Sequence, residues 1–194
     1  QFNHKSFSEF LYARRLLESI EDWTQPWRSR DELLIPSDRF DWEIYDLLGF
    51  GGLTPDIVGY LRGYLRALIE GKNFPMARLQ KLFERLENFY LRWFKGDFIN
   101  NEFSQTLAQR KALQLQKPLE ALGLFLGRRQ IDIYTGLNVF ILLLELHRYK
   151  QELTFYPCGQ PPASECPSER STSSSDNSFD SSRLLRLISH SRWL

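Results

Sequence analysis

The sequence predicts an all-α protein, an irregular multi-helix bundle, on three observations. Apolar residues recur at three- and four-residue steps along most of the first 156 positions. Helix start and stop residues punctuate these runs at Thr54-Pro55-Asp56, Gly71, Pro75 and Gly96. With 194 residues, 42% of them hydrophobic, the chain carries enough apolar material for one good core or two small ones.

The elements follow in order. Ser6 and Glu9 stand at capping-box spacing, each able to satisfy a free N–H in the other's turn, so a helix should begin there. Phe7, Phe10, Leu11, Arg14, Leu17 and Ile20 continue it as an apolar stripe to about Glu21. Residues Trp23 to Pro36, with two prolines and many charges, read as an irregular connection, followed by a short helix from Asp41 to Leu48 that Gly49, Gly51 and Gly52 end. Thr54 is a hydroxyl N-cap, Pro55 suits the first helical position, and Asp56 complements the positive helix end, which starts a helix running to Glu70 and closed by Gly71. Pro75 opens the next, in which Met76, Leu79, Leu82, Phe83, Leu86, Phe89, Tyr90 and Trp93 keep the helical period up to Gly96. Two weaker patterns cover 103–116 and 118–125, separated at Pro118, and Ile131 to Tyr149 gives the most apolar helix.

From Pro157 to Asp180 the composition turns to Pro, Ser, Thr and acids, with almost nothing to bury, which predicts a disordered linker. Leu184, Leu185, Leu187 and Ile188 then mark a short amphipathic helix. The organisation expected is a helical domain over 1–156, a linker over 157–180, and a C-terminal helix within 181–194 that leads toward a further module. The chain opens on Gln1 directly in a helix start, so the expectation is a fragment of a longer parent.

Composition excludes some classes of function. Lys plus Arg (25) nearly balance Asp plus Glu (24), so no global field draws the chain to nucleic acid or an anionic membrane. The longest apolar run, Leu137 to Leu146, falls short of the roughly 20 residues of a membrane span. The two cysteines, Cys158 and Cys166, lie in the Pro/Ser-rich stretch and do not form a disulfide scaffold, so a cytoplasmic location is expected.

No reactive constellation emerges. Gly49-Phe50-Gly51-Gly52 ahead of a helix start could cradle phosphate through backbone N–H groups, but it lacks the lysine and the preceding strand, and a tight turn explains it. His4, His147 and His190 are too scattered for metal-ligand spacing. The carboxylate pairs Glu43/Asp46 and Glu84/Glu87 are ordinary on solvated helix faces. Arg14-Arg15, Arg128-Arg129 and the Arg183, Arg186, Arg192 set each have acids close in sequence, which predicts local ion pairs. The 5 tryptophans and 15 phenylalanines fall mostly at helical spacing and fit a core. No catalytic, cofactor-binding or metal-ligating residue is assigned, no cofactor is expected, and the chain is read as non-enzymatic.

One stretch carries a resemblance. Phe2, His4, Lys5, Ser6, Phe7, Glu9, Phe10, Leu11 and Ala13 resemble a signature near the end of the helical region that follows the nucleotide-binding core of NACHT-type signalling NTPases. The segments Trp42 to Pro55, with Gly49, Gly51, Gly52, Thr54 and Pro55, and Asp132 to Asn138 further resemble bacterial, especially cyanobacterial, proteins that join such an NTPase to C-terminal pentapeptide repeats. So does Phe155 to Gly159. The resemblance implies a helical connector whose partners are an upstream NTPase and a downstream repeat module; that no membrane and no nucleic acid are expected as partners rests on the short apolar run and the balanced charge. The Walker motifs are absent, and no five-residue repeat follows Arg183, so the NTPase activity carries over to no residue here. The alternative is a free-standing adaptor that binds a protein partner or nucleic acid through aromatic and arginine faces; an enzyme built on Cys158 ranks last.

Overall fold

The computed structural model describes residues 4–27, 33–70, 75–98 and 106–155. Within them the chain forms α1 His4–Thr24, α2 Ser37–Leu48, α3 Pro55–Glu70, α4 Met76–Lys95, α5 Leu107–Ala121 and α6 Arg128–Phe155, with one isolated bridge between Pro26 and Leu33. The all-α expectation is met. The linker expected over 157–180, the helix expected in 181–194 and the Gly71 cap lie outside the described residues.

Why α1 packs as it does corrects the sequence reading. Its fully covered line is Glu9, Ala13, Leu16, Ile20 and Trp23, whereas Phe7, Phe10 and Leu11 stay exposed. Both lines have helical spacing, so periodicity alone could not choose between them. Contacts with α3 and α4, and with the connection ahead of α3, decide it. Trp23 and Thr24 belong to the helix rather than to the connection after it, because the indole is wholly buried against Phe40, edge-on at 5.2 Å between ring centroids. From there an aromatic chain runs inward: Phe40 meets Phe89, and Phe89 meets both Tyr45 and Phe98. Burying each such side chain contributes about 1.5–3 kcal/mol, against about 0–1 kcal/mol for an exposed ion pair such as Arg14–Glu18, so the rings dominate cohesion.

α6 lies against α2, α4 and α5, and α1 packs along α3 and against α4. One continuous cluster draws residues from all six helices, including Leu16, Ile44, Leu61, Phe83, Ala108 and Leu143. Arg62 of α3 grips Glu145 of α6 at 2.7 Å, and buried Lys111 of α5 holds Asp46 of α2 at 2.6 Å.

Three arginines at seven-residue spacing on α4 form a column that the sequence reading missed. Arg78 donates to the Glu21 carbonyl and the Thr24 hydroxyl at the end of α1. Arg85 donates to the carbonyls of Trp23 (2.6 Å) and Ile35 (2.9 Å), tying down both ends of the α1–α2 connection while its guanidinium lies 4.1 Å from the Phe40 ring centroid. Burial lowers its pKa to about 10, and the charges of Asp41 and Glu43 oppose that shift. Arg92 forks onto both oxygens of Asp41 on α2.

Helix ends follow local chemistry. The side chains of Thr106 and Gln109 cap each other's backbone N–H groups, a reciprocal box ahead of α5. α5 then runs through Pro118, where the sequence predicts two helices. The proline removes one N–H only a turn before the end, and buried Leu119 anchors that last turn. Gly96 (φ 81°) and Gly123 (φ 67°) close α4 and α5 in the left-handed conformation; Asp97 N–H bonds the Arg92 carbonyl and Leu124 N–H the Leu119 carbonyl.

Gly136, in mid-α6, is a close-approach glycine: a Cβ there would lie 2.2 Å from the Trp93 ring. Gly136→Ala is therefore expected to lower unfolding free energy by about 1–3 kcal/mol through overpacking, despite the roughly 1 kcal/mol gain in helix propensity. Gly63→Ala, on α3 with open space around it, should raise stability by about 0.5–1 kcal/mol. Urea unfolding of both variants checks this, and equal effects would refute the packing account.

Candidate functional site

Three of the four segments that carry the resemblance meet at one place, the connection 49–54 between α2 and α3; the fourth lies, after Phe155, outside the described residues. Asn138 of α6, 1% exposed, reaches into it. Its Oδ1 accepts from Leu53 N–H at 2.9 Å, and its Nδ2 donates to the carbonyls of Leu48 (2.8 Å) and Gly51 (2.7 Å). One side chain thus satisfies three backbone groups of a partly covered turn. Gly49 permits the approach: a Cβ would stand 3.0 Å from Ile131 Cγ2 and 3.2 Å from Thr135 Oγ1. Gly51 supplies the left-handed bend at φ 79°. Gly52 is exposed with open space around it.

The α1 signature meets the same connection. Thr54 caps α3 as expected, its hydroxyl accepting from Ile57 N–H at 3.3 Å, and α3 begins at Pro55. That hydroxyl also donates to Glu9 Oε1 at 2.9 Å. The capping box expected between Ser6 and Glu9 does not form, because α1 already begins at His4 and the Glu9 carboxyl turns to Thr54. Lys5 stands 4.0 Å from Glu9, Tyr12 donates to the Leu47 carbonyl at 2.6 Å, and Ala13 is fully buried. Burial pushes the Tyr12 hydroxyl up to about 12. Phe2 lies outside the described residues.

Asp132 completes the arrangement. Tyr45 donates its hydroxyl to the Asp132 carboxylate, and the Trp93 indole donates to the Asp132 carbonyl at 3.1 Å. Burial raises the Asp132 carboxyl above its ordinary value against the lowering effect of the Tyr45 bond. Burial, then the bond to Asp132, raises the Tyr45 hydroxyl far beyond its ordinary value and keeps it protonated.

What can this arrangement do chemically? A carboxylate, Glu9, already stands beside the amino end of α3, where an anion would bind, so the glycine cluster works as a gripped turn and not as a phosphate cradle. Glu43 accepts from the Trp23 indole and Arg39, Asp46 holds Lys111, and Glu84 lies beside Gln80 and Lys81, which leaves these carboxylates in packing roles. His147 is buried on α6, its pKa lowered by burial and then by Lys150. Among the described residues no group of three or more His, Cys, Asp and Glu side chains could hold a metal ion, and no helix is long and apolar enough to cross a membrane. Cys158, Cys166 and His190 lie outside the described residues. Arg14 and Arg15 pair with Glu18 as the spacing suggests, but Arg128 and Arg129 have no ion-pair partner among the described residues. Comparison with protein-family models, curated proteins and solved structures returns no match.

Sequence reading found Gly49, Thr54 and Pro55 but missed Asn138 as the residue that holds them. The one available signal was a polar amide inside the longest apolar run, where only a hydrogen-bonded role suits it.

Asn138→Leu strands three backbone groups at about 1–3 kcal/mol each when buried, so a loss on the order of 3–5 kcal/mol in urea unfolding is expected. A loss under about 1 kcal/mol would show that the amide is dispensable. Asp132 gives a pH test. A carboxyl whose folded pKa exceeds its unfolded value favours folding below the unfolded value, and that contribution is lost as pH rises through the folded one. Asp132→Asn should therefore gain stability relative to the parent as pH rises from about 4 to 7, followed by denaturant midpoints at each pH; a constant difference would contradict it.

Proposed function

We propose that the chain is a non-enzymatic helical connector of a NACHT-type signalling NTPase joined to pentapeptide repeats, and that α1 carries the surface on which the upstream module docks. The observation behind this reading is the division of labour inside the Lys5–Ala13 stretch. Glu9, Tyr12 and Ala13 turn inward and fix α1 to the 49–54 connection. Phe7, Phe10 and Leu11 are 59%, 36% and 45% exposed, at i, i+3 and i+4 on one side of the helix. The Phe10 ring already lies edge-on to Tyr60 of α3 at 5.7 Å and close to Tyr64, so the exposed stripe is continued by aromatics from a second helix. Large apolar groups grouped at a surface in this way mark contacts with another module.

In this reading the role is mechanical. The Asn138-bound connection couples α1 to α6, so a shift of the docked module at α1 would be passed to α6 through hydrogen bonds and side-chain packing.

Two measurements test it. The gene ahead of this frame should encode Gly-x-x-x-x-Gly-Lys-Ser/Thr, and a frame without it removes the reading. With that module expressed separately, the parent chain should co-purify with it. The Phe7→Asp/Leu11→Asp variant should keep its helical circular dichroism, stay within about 0.5 kcal/mol of parental stability, and lose the association. Retained association by that variant would overturn the docking surface.

A further inference from the structure

A second apolar region lies away from α1, where α5 turns into α6. Leu113 on α5 and Leu122, Leu124 and Phe125 after it are each more than half exposed, and Phe125 reaches 89%. Leu113, Leu124 and Phe125, together with Ala112, Leu119 and Leu126, surround an open groove of about 450 Å³. The turn that presents Phe125 is held by hydrogen bonds from Gly123 N–H to the Glu120 carbonyl (3.1 Å) and from Leu124 N–H to the Leu119 carbonyl (2.9 Å), with Gly123 left-handed. The ring therefore projects from a fixed backbone, which lowers the ordering cost of using it in a contact.

The groove also carries one charge of each sign. Glu120 accepts a hydrogen bond from Gln116 at 2.8 Å and has no cation among the described residues. Arg128 stands at the first position of α6, the positive end of its dipole, without an acid in the first turn and without an ion-pair partner among the described residues. Positive charge at that place is locally unfavourable and is relieved by an acid brought from outside.

We propose that this corner is the self-association surface of the chain. Two copies meet across a two-fold axis, Phe125 of each enters the groove of the other, and Arg128 of each faces Glu120 of the other. An isologous interface requires a single patch that complements itself, and this patch holds both a ring and a groove to receive it, and both an acid and a base. A different partner would need only one half of each pair. The proposal is independent of the docking surface on α1.

Sedimentation of the full chain over a concentration series tests it. The expected result is a monomer–dimer equilibrium. Phe125→Asp, whose ring makes little contact in the monomer, should weaken it about 100-fold or more without changing the helical signal. Glu120→Arg and Arg128→Glu should each weaken it about 10-fold, and the double reversal should recover to within about 3-fold of the parent. A chain that stays monomeric at hundreds of micromolar overturns the proposal, and slow amide exchange across 112–126 in that monomer would assign the groove to other residues of the same chain. A dimer indifferent to Phe125→Asp and to Leu113→Asp overturns it equally.

Discussion

The amide of Asn138 is the interaction on which the arrangement of helices depends. A turn between α2 and α3 that passes over α6 must leave backbone donors and acceptors facing away from water, and each would cost free energy if left alone. A single carboxamide carries both a donor pair and an acceptor, so it answers two carbonyls and one N–H from one position. No aliphatic residue of similar size could hold the turn, and a carboxylate would supply acceptors only. Once the connection is fixed there, the direction of α3 is fixed, and with it the surface on which α1 lies.

Around that point the hydrophobic effect supplies most of the cohesion and polar groups supply direction. The aromatic chain from Trp23 to Phe98 fills the space between α1, α2 and α4. Shape alone would leave the ends of α1 and the connection after it underdetermined. The guanidiniums of Arg78 and Arg85 settle them by bonding the last carbonyls of α1, where positive charge also meets the negative end of the helix dipole. The Tyr45–Asp132 bond has a different balance: it keeps a carboxyl in a buried place at some cost in stability while joining α2 to α6.

Much of the fold was legible in the sequence because helix punctuation is local chemistry. Thr54-Pro55 and Gly96 do what their types predict, and the periodic run on α4 is the buried face of that helix from Leu79 to Trp93, with Met76 alone left exposed. The misreadings share a cause. At Phe7, Phe10 and Leu11 two candidate stripes had equal claim, and choosing between them needed the position of α3, which is not local. Ser6 and Glu9 had correct capping spacing, but a hydroxyl from residue 54 competed for the same carboxylate and won. Pro118 looked like a break because its cost was judged without the single turn that remained after it. Of the site, the glycines and the threonine cap were visible, whereas Asn138 and the α4 arginines became meaningful only with partners more than 50 residues away in sequence for five of their six backbone bonds and for the Asp41 fork.

The arginine column makes α4 intolerant of a change in length. Three rungs seven residues apart stay on one side of a helix because two turns nearly restore the same direction. A residue inserted between Arg85 and Arg92 would swing the later rung about 100° around the axis and carry it off Asp41, while the earlier rungs kept their grip. α4 can therefore exchange side chains on its outer face, but its spacing between rungs behaves as a fixed ruler that measures the distance from the end of α1 to the body of α2.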